Sequence, residues 1–133
     1  MTKAEQVKAT EAELAILNVL WEQGACTVRQ VQNQVQEERG TGYTTTLKLM
    51  QIMFEKGLLI RDESTRSHVY TAAITRQKTQ KALVTKLIDQ LFNGSVQQLI
   101  IQALSSRKAT LKELAEIRAL IDSFESKGAC VED

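Results

Sequence analysis

The sequence predicts a mainly α protein. A winged helix-turn-helix, built from three helices and a β-hairpin, comes first, and three further helices follow. Three observations predict this. Thr10/Glu13, Thr27/Gln30 and Thr110/Glu113 each place a hydroxyl three residues before Glu or Gln, which is a capping box at a helix start. Two short apolar runs, 58–61 and 68–72, flank the polar turn Asp62-Glu63-Ser64-Thr65-Arg66-Ser67, which predicts a hairpin. Beyond Ala73 the pattern becomes purely helical and rich in Leu and Ile. Proline is absent, which suits a helical chain.

The elements follow in order. Leu14, Leu17, Leu20 and Trp21 form one face of a first helix at about 11–23, with Gly24 as its stop. Val28, Val31 and Val35 line a second helix that ends near 37–39. Glu38-Arg39-Gly40-Thr41-Gly42 reads as a turn with two glycines free to take positive φ. The third helix spans about 44–56, with Leu47, Met50, Met53 and Phe54 as its buried stripe. Thr45, Lys48 and Gln51 lie on other faces, as do the more ambiguous Leu49 and Ile52. After the hairpin, Thr75 opens a helix carrying Ala82, Leu83, Leu87, Ile88 and Leu91, which Asn93-Gly94 ends. Ser95 caps a short apolar helix with Val96, Leu99, Ile100, Ile101 and Leu104, and 105–109 is a connector. The last helix carries Leu111, Leu114, Ile117, Leu120, Ile121 and Phe124 along one side. The expected domains are 1–73, winged helix; 74–128, helical dimerisation; and 129–133, a flexible tail.

Hydrophobic content of 43% and charge of 25% are ordinary globular values. Net charge is +1, so the chain lacks the strongly basic balance of many nucleic-acid binders. Local charge is more informative: from Arg39 through Phe54 there are two basic residues, Arg39 and Lys48, and no acidic one. The two cysteines, Cys26 and Cys130, have no metal-ligand spacing, and His68 is the single histidine, so no metal site is expected. A Cys26–Cys130 disulfide or two free thiols are both open, and the cytoplasmic assignment favours the thiols. That assignment rests on an N-terminus without an apolar signal core and on the lack of any apolar run near ~20 residues. No nucleophile–base pair or phosphate loop is evident, so neither an enzymatic activity nor a cofactor is expected.

In a helix-turn-helix the second helix of the motif enters the major groove, with its N-terminal residues on base edges. Threonine suits that position: its hydroxyl bonds phosphate or base, and its methyl packs on a thymine methyl. Thr44, Thr45 and Lys48 are therefore the candidate groove-facing residues, with Gln51 further along and Tyr43 stacking on sugar-phosphate or stapling the turn. Arg66 at the hairpin tip is a candidate for a phosphate or the minor groove, Arg29 for backbone, and Arg61 is a weaker candidate. His68 is read as a strand residue.

The tail carries more aliphatic surface than ~55 residues bury as a core, and exposed patches of that size mark a partner surface. A second copy is the simplest partner. Leu83, Leu87, Leu91, Leu99, Ile100, Leu104, Leu114, Ile117 and Ile121 are the candidate dimerisation residues. A dimer presents two reading helices, spaced for a palindromic duplex. The near-neutral N-terminal half also suits an alternative, a winged-helix protein–protein interaction module without specific DNA binding. Salt-dependent duplex binding separates the two.

Thr10-Glu11-Ala12-Glu13-Leu14 leading to Val19-Leu20-Trp21, Gly42-Tyr43-Thr44-Thr45, Glu55-Lys56-Gly57-Leu58-Leu59 and Arg66 before Val69-Tyr70 together resemble the penicillinase repressor family, which includes the BlaI, MecI and CopY types. Phe92-Asn93-Gly94-Ser95 and Leu111-Lys112-Glu113-Leu114 fit as well, so the resemblance covers roughly 10–125. It implies a homodimeric transcriptional repressor on a dyad operator, controlling β-lactam-response or related stress genes, or copper transport. In the antibiotic branch it also implies a membrane sensor-protease as partner and a clip within the dimerisation domain. Three departures stand out. Gln102-Ala103 occupies the position of the Asn-Phe clip site, so that specificity is not expected here. Only Cys130 stands where the copper branch has Cys-x-Cys, so metal sensing by that route is not expected either. Ile52 replaces an Arg that many relatives carry on the third helix, which implies one phosphate contact fewer and a different operator.

Overall fold

The computed structural model describes residues 9–128. Each capping box starts a helix as predicted. Thr10 opens α1 (Glu11–Gln23), Thr27 opens α2 (Val28–Arg39), and Thr110 opens α6 (Leu111–Ser126), each with both reciprocal hydrogen bonds formed. Between them lie α3 (Tyr43–Glu55), α4 (Arg76–Leu91) and α5 (Val96–Ser106). The hairpin is β2 (Leu59–Asp62) and β3 (Val69–Ala72), antiparallel with Arg61 opposite Tyr70. A two-residue strand, β1 (Cys26–Thr27), lies between α1 and α2 and pairs with β3. The sheet is therefore three-stranded, in the order β1-β3-β2. This is a winged helix followed by helices.

The chain divides into two compact units, 1–86 and 87–133, and the division falls inside α4. In the first unit Ile16, Leu17, Leu20, Cys26, Val28, Val31, Val35, Met50, Met53, Leu58, Leu59, Tyr70 and Ile74 form one buried core. The α1 stripe is rotated from the expected one. Ile16 is fully buried, while Leu14 and Trp21 are half-buried at the margin. Trp21 donates its indole N–H to the Ile74 carbonyl at 2.9 Å, which satisfies the polar atom of a partly buried ring.

The stripe of α3 is also rotated. Met50 and Met53 are fully buried as expected, but Leu47 and Phe54 are only half-buried, and Thr46 takes the inner position. Its hydroxyl donates to the Gly42 carbonyl at 2.9 Å, so the buried oxygen is paired. At the other end, Leu58 N–H bonds Met53 O (2.9 Å) and Gly57 N–H bonds Phe54 O (3.1 Å). This is a Schellman closure, with Gly57 at φ +84 in the position that glycine tolerates best. It turns the chain directly from α3 into β2.

Glu13 ties α3 to α1. Its carboxylate is 2% exposed, accepts the Thr10 N–H at 3.0 Å and accepts Lys56 Nζ at both oxygens, 3.0 and 2.9 Å. Lys56 is the C-terminal capping residue of α3, so the ion pair joins the start of one helix to the end of another.

In the second unit α5 extends through Ser106, past the expected connector boundary. Ser105 and Ser106 are helical, and their hydroxyls donate back to Ile101 O and Gln102 O, at 2.7 and 2.6 Å. No described residue of this unit is buried.

Candidate nucleic-acid interface

The packing of α3 determines what it presents. With Thr46, Met50 and Met53 inward, Tyr43, Thr44, Thr45, Lys48, Gln51 and Ile52 are exposed. Thr44 and Lys48 lie one turn apart, and Lys48 and Gln51 three residues apart, so they share a helical face. The sequence left Leu49 and Ile52 undecided. Leu49 packs against the core, whereas Ile52 is 36% exposed within the polar face.

The N-terminus of α3 differs from the other helix starts. Thr10, Thr27, Thr75, Ser95 and Thr110 each accept a backbone N–H at the start of α1, α2, α4, α5 and α6. Gly42 precedes α3, and no side chain caps it. The first intrahelical bond is Thr46 N–H to Gly42 O at 3.0 Å, so the N–H groups of Tyr43, Thr44 and Thr45 precede the ladder. No acidic residue occupies the first turn. A helix start with free donors, the positive end of the dipole and no carboxylate is built to accept an anion such as a phosphate.

The two glycines of the preceding turn have different tasks. Gly40 takes the left-handed conformation, φ +67, and donates to Gln36 O, ending α2. Gly42 is extended at φ −81, so of the two glycines free to take positive φ only Gly40 does so.

Arg29 and Tyr43, predicted separately, are brought together. The Arg29 guanidinium lies 4.4 Å from the Tyr43 ring centroid. This cation–π contact holds a positive charge in the first turn of α2 beside the start of α3.

Arg66 is exposed in the β2–β3 connection. Asp62 accepts the Ser64 N–H at 2.9 Å, and Thr65 Oγ1 donates to Ser67 O at 2.6 Å, so the connection has internal bonding on both sides of the arginine. The Ser64 hydrogen bonds hold the Asp62 carboxyl below its usual range. Neither Arg66 nor Lys48 forms an ion pair among the described residues. Arg61 is engaged instead: its guanidinium lies 4.1 Å from the Phe54 ring centroid and 3.1 Å from Glu63. His68 is half-buried just before β3.

The tail candidates fall as follows. Leu83 packs at the margin of the first unit's core. Leu87, Leu91, Ile100, Leu104 and Ile121 are exposed, and Leu99, Leu114 and Ile117 are half-buried. Val96, Ile101, Leu111, Leu120 and Phe124 are exposed alongside them. Among the described residues no group of three His, Cys, Asp or Glu is placed to hold a metal, and no helix is long and apolar enough to cross a membrane. Cys26 is a buried free thiol, and Cys130 lies outside the described residues.

The penicillinase repressor family model matches residues 9–123. Among solved structures, the chain is similar to the DNA-binding domain of the repressor BlaI. Identity there is 23%, over 59% of this chain and 93% of that one, with a TM-score of 0.49. It is also similar to hsRosR-SG, solved as a complex, at 18% identity over 98% of this chain and 100% of that one, TM-score 0.52. A probable transcriptional regulator from Pseudomonas aeruginosa matches at 18% identity over 91% of this chain and 82% of that one, TM-score 0.45. No relative among curated protein sequences matches the chain.

Proposed function

The chain belongs to the penicillinase repressor family of DNA-binding transcriptional repressors, which are not enzymes, and we propose that it represses as a homodimer on a dyad operator. α3 would read the major groove through Thr44, Thr45, Lys48 and Gln51, with Arg29 and Tyr43 on the adjoining backbone. Arg66 would reach a phosphate or the minor groove from the wing. The C-terminal helices α4, α5 and α6 would pair two copies. Repression would be steric, and loss of pairing would release the operator because each half-site alone binds weakly. Regulated genes of the β-lactam-response or a related stress class follow from the family.

The observation that carries this reading is the uncapped, acid-free start of α3 beneath an exposed polar face. The test is duplex binding by the purified protein across a salt series, using sequence selected by the protein from a random pool. Log affinity should fall linearly with log salt, by about 0.9 per phosphate neutralised. Thr45→Ala combined with Lys48→Ala should reduce affinity at least tenfold and flatten the slope. Intact affinity in that double variant would show that α3 is not the reader.

A further inference from the structure

Resting on the reading of α3 as the groove-facing helix, we propose that Ile52 selects thymine, by packing on the 5-methyl group of one base in each half-site. Ile52 is an aliphatic side chain left 36% exposed on a face otherwise made of Thr44, Thr45, Lys48, Gln51 and, at the C-terminal end, Glu55. Its neighbours on α3, Leu49 and Met53, pack into the core, so the exposure is not a general slackness of that turn. Thr45 and Ile52 are seven residues apart, which is two turns within about 20°. They therefore lie on one line along the helix, with Lys48 beside it.

The floor of the major groove is polar except for one aliphatic group, the thymine methyl. An isoleucine directed into that groove has this group as its apolar partner. The spacing specifies more. Seven residues of helix rise about 10.5 Å, and base pairs stack about 3.4 Å apart. The thymine read by Ile52 therefore lies within about three base pairs of the position that Thr45 faces, fewer the more α3 is inclined to the duplex axis. Since Thr45 also carries a methyl, the two side chains can be distinguished by position as well as by mutation.

The experiment replaces each thymine of the selected duplex with deoxyuridine, which removes only the methyl. Wild-type protein should lose about fourfold in affinity at one symmetric position per half-site, the worth of a single buried methyl. Ile52→Ala should bind the parent duplex about as weakly as wild type binds the substituted one. It should also be indifferent to deoxyuridine at that position, with an unchanged circular dichroism spectrum and salt slope. Indifference of wild type to every substitution would overturn the proposal. So would a sensitivity that survives in Ile52→Ala but vanishes in Thr45→Ser, which would assign the methyl contact to Thr45. If no selective duplex emerges from the pool, the repressor reading itself falls, and this inference with it.

Discussion

A single carboxylate, Glu13, carries two tasks at once. It closes the capping box of α1 and binds Lys56 across 43 residues of sequence. The first task is legible locally, because Thr10 and Glu13 are three residues apart. The second is not, because nothing near Lys56 in sequence signals a distant acid. The two partners are unequal. Glu13 is 2% exposed and Lys56 is 40% exposed, so removing the lysine strands a buried charge, while removing the carboxylate's charge leaves a lysine in water. Breaking a buried pair from one side costs about 3–5 kcal/mol. With half-open access to solvent at Lys56, about 2 kcal/mol is expected for Lys56→Ala, the lower end of that range discounted for screening. Glu13→Gln keeps an acceptor for Thr10 and should cost about 1 kcal/mol, the worth of an ordinary hydrogen bond. Urea unfolding of the two variants measures both values. The reverse order would show that the pair is not what anchors α3.

At the scale of the element, the existence of every helix and of the wing was legible, because capping boxes and apolar periods are local signals. The inner face of α3 was not fully so. Hydropathy alone favours Leu47 over Thr46 as a core residue. The hydrogen bond from Thr46 to Gly42 makes its burial possible, and that bond depends on the turn geometry. β1 was invisible for a different reason. Two residues carry no period, and Cys26 and Thr27 become a strand only because β3 lies beside them. The bare start of α3 was legible in principle, since Gly42 stands where five other helices have a hydroxyl. It yields a prediction that separates folding from function. Gly42 has an ordinary φ of −81, and a Cβ added there would meet nothing within 4 Å. Gly42→Asp should therefore cap α3 and raise stability by a few tenths of a kcal/mol, roughly the Gly-to-Asp difference at such positions. The same carboxylate would occupy the place proposed for a phosphate, and duplex affinity should fall at least tenfold. Gly42→Asn, with the cap but no charge, should lose less. A Gly42→Asp protein that is stable and binds undiminished would remove the helix start from the interface.

For the whole molecule, the two units differ in how they bury apolar surface. The first has a closed core that includes Leu17, Val31, Met50, Met53 and Tyr70. Among its described residues the second has none buried in the single chain, although α5 and α6 carry Val96, Ile100, Ile101, Leu104, Leu120, Ile121 and Phe124. The sequence pattern announced this surface and its excess over what the tail could bury, but not that Leu99, Leu114 and Ile117 would be half-covered while their neighbours stay exposed, since that depends on how the helices pack. An apolar face exposed to this extent favours association, because covering it removes the area from water at about 25 cal/mol per Å². If two copies cover it, folding and pairing are linked, and stability depends on protein concentration. The thermal midpoint should rise as concentration is raised over a hundredfold range. Leu87→Asp adds a charge to an exposed position of α4, so it should spare the monomer fold but prevent pairing. That variant should sediment as a monomer, keep the helical spectrum of the first unit and lose the concentration dependence. Its duplex affinity should fall because one reading helix binds without the other. A wild-type midpoint that stays constant over the range, together with an unchanged sedimentation coefficient in Leu87→Asp, would place the cover of these helices elsewhere than on a second copy.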